Sequence, residues 1–227
     1  MKSAEYKKYP RIFLIYPRIL QDIRDISNLS AKHLGGEIMQ ESILFTETNR
    51  LILRPFKKDD YSNWYTQFDQ RLPSQYKYDD GRPTNMETST EAWFTKWIEG
   101  FELMANKDET YILGVFRKED GVNVGKVEIT TIMRREFQWA MMGYSIHNQF
   151  WKNGYAIESV SAATDLFFSK LNFHRIELHI NMDNHPSIRL AERTGFLFEC
   201  VRKEFSFEDH QWTDFLIYYK NQPSTSV

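Results

Sequence analysis

The chain has 227 residues and carries 29 Lys and Arg against 31 Asp and Glu, a formal net charge of −2. That length supports one good-sized domain with its own core, and the near balance of charge gives no field for general polyanion binding, so nucleic acid is not an expected partner. The single cysteine, Cys200, excludes an internal disulfide framework and a cysteine zinc cluster. No apolar run reaches the length of a membrane span, so no membrane partner is expected. Residues 12–16 are apolar, but Pro17 interrupts them and no small-residue cleavage site follows. No secretory signal is read, and the cytoplasm is the expected compartment.

Residues 1–47 read as an N-terminal extension, with Pro10, Pro17, paired Lys7 and Lys8, and room for one short helix over residues 19–29. Gly35, Gly36, Glu37 and Ile38 precede Met39. A purine-rich ribosome-binding site translated in frame gives such a run, so Met39 is a candidate true start. Residues 48–56 set Leu51 and Leu53 against Ile52 and Arg54, the period-2 pattern of a strand, which Pro55 ends. Residues 57–68 follow as a helix, with Asp59 and Asp60 placed to favour its N-terminal dipole. Residues 69–85 hold Pro73, Gly81 and Pro83 and read as a long loop. The carboxylates of Asp69, Asp79, Asp80, Glu87 and Glu91 in and after it either attract a cation or are simply solvated.

Thr88 or Ser89 is expected to cap a helix over residues 90–105, whose Trp and Met stripe is core. Residues 111–116, 124–132 and 137–146 form an antiparallel meander. Residues 142–168 then read as strand, turn and helix. Asn148, Asn153 and Gly154 break the strand, and Ile157, Val160, Thr164, Phe167 and Phe168 recur on one helix face. A glycine turn before a helix presents N–H groups without partners, and the helix dipole adds positive charge, which suits an anionic phosphate. Residues 175–180 are a strand, and residues 186–194 a short helix with Pro186 near its start and Gly195 past its end. Residues 196–207 and 212–219 form a last hairpin, with Cys200 expected as a buried, inert thiol. Residues 222–227 read as a frayed tail. The order β α α β β β α β α β β predicts an α/β fold, a mixed sheet with helices on both faces.

Four motifs in this order resemble the GNAT superfamily of acyl-CoA-dependent N-acetyltransferases, and more closely its RimJ/RimL type. They are TNRLILRPF at the first strand, Val124-Gly-Lys-Val-Glu-Ile129, Trp151-x-x-Gly154-x-Ala156, and Asn184-x-x-Ser187 running to Gly195-Phe196. WTDFLIYY in the last strand adds a fifth, weaker match. The resemblance covers roughly residues 49–220 and implies a catalytic domain over residues 48–221. It implies acetyl-CoA as co-substrate in a splayed gap between the strands at 137–146 and 175–180. The backbone of Tyr144, Ser145 and Ile146 would pair with the pantetheine arm, and N–H groups of Lys152, Asn153, Gly154, Tyr155 and Ala156 would take the pyrophosphate. Trp151 either packs on that arm or anchors the turn. Lys152 either adds charge or is solvated. Asn184 either ties its loop to the cofactor arm or caps the helix, and Ser187 is a cofactor-side residue or a helix-start residue bonding backbone.

Acetyl transfer to an amine needs a group to take the amine's proton, donors for the oxyanion, and a proton for the departing thiolate. Glu204 and Glu128 are candidate bases, each with an ion pair or a solvated face as the alternative. His147 is a turn residue or a base. The family often places a tyrosine where this chain has Ala191, which leaves Ser187 as the candidate acid. That same departure supports an alternative, a non-catalytic acyl-CoA-binding module. The histidines show no metal-ligand spacing, so no metal is expected. The acceptor would be a primary amine, a protein N-terminus or a small polyamine or drug, and the enzyme a monomer or homodimer.

Overall fold

The computed structural model describes residues 44–79 and 81–223. The short helix and the alternative start at Met39, the Asp80 carboxylate and the end of the tail lie outside these residues. Among the described residues there are eight strands: β1 Thr46–Glu47, β2 Leu51–Arg54, β3 Thr110–Arg117, β4 Asn123–Met133, β5 Trp139–Ile146, β6 Arg175–Asn181, β7 Leu197–Glu208 and β8 Gln211–Asn221. Four α-helices accompany them: α1 Tyr61–Asp69, α2 Glu91–Asn106, α3 Tyr155–Leu171 and α4 His185–Arg193. None of these helices is long and apolar enough to cross a membrane.

The strands make one mixed sheet in the order β1-β2-β3-β4-β5-β6-β8-β7. Every neighbouring pair is antiparallel except β5 and β6, which run parallel because α3 crosses between them. Alternation along the strands sends two apolar sets to opposite faces. Leu51, Leu53, Val127, Ile129, Ala140 and Met142 meet Val160 and Phe167 of α3. Phe56, Ile112 and Phe116 meet Trp64 of α1 and Phe94, Trp97 and Phe101 of α2. The second layer is a stack of rings, with Trp64, Phe94 and Trp97 5.0 to 5.6 Å apart. This is where much of the chain's aromatic content goes.

Several local expectations change. The cap of α2 is Thr90, not Thr88 or Ser89: its extended backbone lets Oγ1 accept from Trp93 N–H at 3.2 Å. Residues 57–68 do not begin as an α-helix, because Lys58–Asp60 form a 3-10 turn before α1. Asp60 lies in the first turn of that 3-10 helix, where its carboxylate accepts from Lys57 N–H at 2.8 Å. It is buried and receives the Arg54 guanidinium at 2.7 and 2.8 Å. Asp79 is not a free acidic lure either, since it accepts from Gln75 N–H, Gly81 N–H and the Asn148 amide, tying the loop to the sheet. Cys200 is half-buried, not buried, because a bulge between Phe198 and Cys200 breaks the strand's alternation. The last hairpin closes on Asp209 and His210 with φ of +48° and +66°, the positive pair that a two-residue turn between twisted strands requires.

Candidate active site

β5 and β6 are paired only at Trp139–Arg175, Ala140–Ile176 and Met141–Glu177. Past Met141 the two strands part, although β5 continues to Ile146 on β4 and β6 continues to Asn181 on β8. The sheet therefore has an opening in its middle, walled by Tyr144, Ser145 and Ile146 on one side. Beyond Met141 no strand pairs with this side of β5, and of its backbone groups Ile146 O is taken by the Trp151 indole; buried backbone polar groups need partners. An extended chain with amide groups fits such a slot as an inserted strand.

The turn beyond β5 ends at the N-terminus of α3. Gly154 is its N-cap, with φ of +80°, in the left-handed region that side chains avoid. Lys152 also has a positive φ, +66°. Trp151 anchors the turn: its indole N–H donates to Ile146 O at 2.7 Å and its ring meets Tyr76. Asn153 donates to Phe150 O and Trp151 O. Tyr155 is buried and Ala156 packs on the core, which leaves a backbone N–H as the group each could offer a ligand. These residues fit a pyrophosphate: a glycine held left-handed, a helix start and its free N–H groups lie at the mouth of the opening.

Sequence reasoning missed a clamp on this turn. Arg50 donates to Glu158 at 2.8 Å through Nε and to Asn153 O at 2.9 Å through Nη1, and its guanidinium lies 4.9 Å from the Tyr155 ring centre. Burial works against the charge of Glu158, but the Thr48 hydroxyl and Arg50 outweigh it and hold its carboxyl below the usual range. Arg50 and Glu158 are 108 residues apart in the chain, and no short-range pattern links them.

On the far side of the opening, Asn184 caps α4 by accepting from Ser187 N–H at 3.3 Å. Ser187 Oγ lies 2.6 Å from the Tyr144 hydroxyl, a hydrogen bond that spans the slot. Burial pushes the Tyr144 phenol up to about 12, with the Ser187 bond pulling slightly the other way. Ala191, where a tyrosine was expected from the resemblance, is fully buried. Tyr144 thus reaches Ser187 from β5 and places a phenol near α4.

The carboxylate candidates part company. Glu128 is buried on the α1/α2 face beside Gly143 and pairs with the buried Lys126 ammonium. Glu204 stands away from the opening, two strands across the sheet, in a bulge of β7 with φ of +48°. Its N–H donates to Asp214 at 2.9 Å, and among the described residues no hydrogen bond ties its carboxylate to the slot. The bulge turns the residue outward, which the strand pattern does not reveal.

His147 is a structural residue. Its Nδ1 accepts from Arg71 Nε at 2.9 Å and its Nε2 lies 3.2 Å from Asn123 Oδ1. Burial first, and the Arg71 charge second, hold it well below 6.5. The unfolded chain binds a proton here below pH 6.5 and the folded protein does not. The stabilisation is therefore present above about pH 6.5 and lost as pH falls, at up to about 1.4 kcal/mol per unit. Thermal melts at pH 7.5 and 5.5 should differ by roughly 3–5 °C. Equal melting temperatures at the two values contradict a neutral, buried His147.

A second charged cluster lies on the same face. Glu177 of β6, 1% exposed, accepts from Arg175 at 2.8 Å, from Arg202 at 3.1 Å and lies 2.8 Å from His179 Nε2. Its burial opposes the charge, yet His179 and the two arginines hold the carboxyl below its usual range. A cavity of about 410 Å³ opens beside it, lined by Phe137, Trp139, Arg175 and Arg202 among others.

A mixed sheet split between two parallel strands, with a phosphate-ready helix start at the split, defines an acyl-CoA-dependent acyltransferase fold. Residues 50–197 match the acetyltransferase (GNAT) domain, and the chain belongs to that family. It is an acetyltransferase. It is similar to a probable N-acetyltransferase, YjcK of Bacillus subtilis: 33% identical over 121 residues, 51% of this chain and 67% of that one. Among solved structures it resembles a putative ribosomal-protein-serine acetyltransferase from Vibrio cholerae, with a TM-score of 0.60 at 23% identity over 78% of this chain and 97% of that one. It also resembles Mycobacterium smegmatis RimJ in complex with CoA-disulfide, with a TM-score of 0.61 at 20% identity over 75% of this chain and 81% of that one.

Proposed function

We propose that this enzyme moves the acetyl group of acetyl-CoA to a primary amine by direct attack within a ternary complex. The observation that carries this is the opening beyond Met141, which ends at Gly154 and the start of α3. Bound there, acetyl-CoA supplies an activated thioester, and the chain supplies position and hydrogen bonds. The backbone of Tyr144, Ser145 and Ile146, apart from the Ile146 carbonyl that Trp151 holds, pairs with the pantetheine arm and points an N–H at the thioester oxygen. The turn from Lys152 to Ala156 holds the pyrophosphate, and Arg50 fixes the turn. The acceptor is a protein N-terminus or a small amine, and the named ribosomal-protein acetyltransferases among the relatives favour the first. The test is incubation of the full chain with acetyl-CoA and a panel of an alanine-initiated peptide, a serine-initiated peptide and spermidine. Free thiol is followed by colour and acetylated product by mass spectrometry. Thiol release without any acetylated amine across a broad panel overturns the reading.

Tyr144 and Ser187 form the donor pair that meets the departing thiolate. A phenol at about 12 gives up its proton less readily than a thiol at about 8.5, so Tyr144 donates a hydrogen bond and orients Ser187 rather than delivering its own proton. Ser187→Ala should lower kcat about tenfold while acetyl-CoA affinity stays within about twofold, because such a donor acts mainly in the transition state. A kcat within about twofold of the parent reduces Ser187 to a residue that starts α4.

A further inference from the structure

Met141 and Glu177 form the last pair before β5 and β6 part. Two residues on, Gly143 and His179 stand at the same level on opposite walls of the slot. Gly143 is paired with Glu128 of β4 on its other side. All three share one face. Glu128 is partnered with Ile112, which packs against α2. His179 alternates with Leu178 and Ile180, which belong to the core under α3. The row across the sheet is therefore Glu128, Gly143, the opening, His179. Gly143 contributes no side chain to it, and a methyl group there would come within 2.9 Å of Glu128 Oε1. The Glu128 carboxyl lies over Gly143, so the row sets a carboxylate and an imidazole on opposite walls at the point where the slot begins.

The two flanking groups are not equivalent. Glu128 is buried and committed to the Lys126 ammonium. His179 is held through Nε2 by Glu177, 2.8 Å away, and its ring edge meets Phe205 with centres 5.3 Å apart. A carboxylate on one ring nitrogen fixes the proton there and leaves the lone pair on the other. Nδ1 has no hydrogen bond among the described residues. Arg175 and Arg202 keep Glu177 ionised and in place. An ionised carboxylate behind an imidazole stabilises the imidazolium that forms when the ring takes a proton.

We propose that His179 is the general base of the acetyl transfer and that Glu177 is its positioning residue. This rests on the acetyltransferase reading of the slot. In the step, the amine nitrogen forms a bond to the thioester carbonyl carbon and yields one proton to His179 Nδ1. The C–S bond breaks with its electron pair on sulfur, and the thiolate takes a proton through Ser187 or from solvent. The products are the N-acetyl amine and free coenzyme A, and the imidazolium returns its proton to water.

The test compares the full-length parent with H179Q and H179A, using acetyl-CoA with the alanine-initiated peptide, the serine-initiated peptide and spermidine. The expected result is a kcat lower by about 100-fold in both variants, with acetyl-CoA affinity by calorimetry within about twofold and an unchanged folded-state circular dichroism spectrum. Free imidazole at millimolar concentration should restore part of the rate in H179A and none in H179Q, where the cavity is filled. Rates within about threefold of the parent overturn the proposal. So does a rate loss matched by an equal loss of acetyl-CoA affinity with no imidazole rescue, since that marks a packing role. A parent that acetylates an amine while H179Q is unimpaired defeats His179 alone. A parent that acetylates none of the panel defeats the acceptor reading and His179 with it.

Discussion

Gly154→Glu is expected to lower acetyl-CoA affinity by at least about 100-fold, or roughly 2.8 kcal/mol, in a protein that still folds. Gly154 has φ of +80° and is the N-cap of α3, and a Cβ built on it points within 3.3 Å of Arg50 Nη2. A glutamate there projects toward the clamp and brings a negative charge to the helix start. It takes the N–H groups and the dipole field that a pyrophosphate needs, and it repels what it displaces. The position is at the surface and its Cβ meets no backbone, so the fold survives with some strain from the left-handed backbone. Calorimetry on the variant, with circular dichroism to show it is folded, reads the result. Undiminished affinity removes the phosphate turn from the site.

Gly125→Ala should have the largest effect on stability. Gly125 of β4 is paired with Ile146 of β5, and a Cβ on it would lie 2.1 Å from Ser145 O and 2.9 Å from Ile146 Cα. Both are backbone atoms of the neighbouring strand and cannot rotate away. Relief requires β4 and β5 to separate where the slot wall is built. A loss of about 3 kcal/mol is expected, the upper range for overpacking, and a melting temperature lower by roughly 6–12 °C. Acetyl-CoA affinity should fall with it, since Ser145 and Ile146 move. A melting temperature within about 2 °C of the parent refutes the close approach.

Two different kinds of information in the sequence explain what was legible. Element order follows from local period: Leu51 and Leu53 against Ile52, or Ile157, Val160 and Thr164 three and four apart, each announce their geometry within a few residues. The glycine turn at the start of α3 was legible for the same reason, because Gly154 and the helix that follows are adjacent. The sheet order, and so the opening, was carried by the resemblance and not by any periodicity. Arg50 with Glu158, and Tyr144 with Ser187, are pairs formed by folding across 108 and 43 residues. Nothing in either segment marks its partner. The apolar strand around it placed Cys200 inside and the resemblance placed Glu204 near the site, and both fall at irregularities in β7 where one or more extra residues reset the faces. Asp60 was legible as a first-turn carboxylate, and it does cap the 3-10 turn through Lys57 N–H, but its buried pairing with Arg54 was not legible.

The three-pair joint between β5 and β6 gives the molecule two bare strand margins in the interior of its sheet, besides the two outer ones at β1 and β7. Bare margins are the part of any β protein that other extended chains adhere to, and proteins usually shield them with charge, bulges or covering segments. Here the shielding is steric and comes from elsewhere in the fold. The Tyr144–Ser187 bridge crosses from β5 to α4 and α3 starts beyond β5, and on the proposed reading they leave room for one slender strand-like molecule but not for the edge of a neighbouring sheet. The same feature that makes room for a thioester arm thus determines which extended molecules the resting enzyme must exclude, and its selectivity begins with the width of the gap before any chemistry occurs.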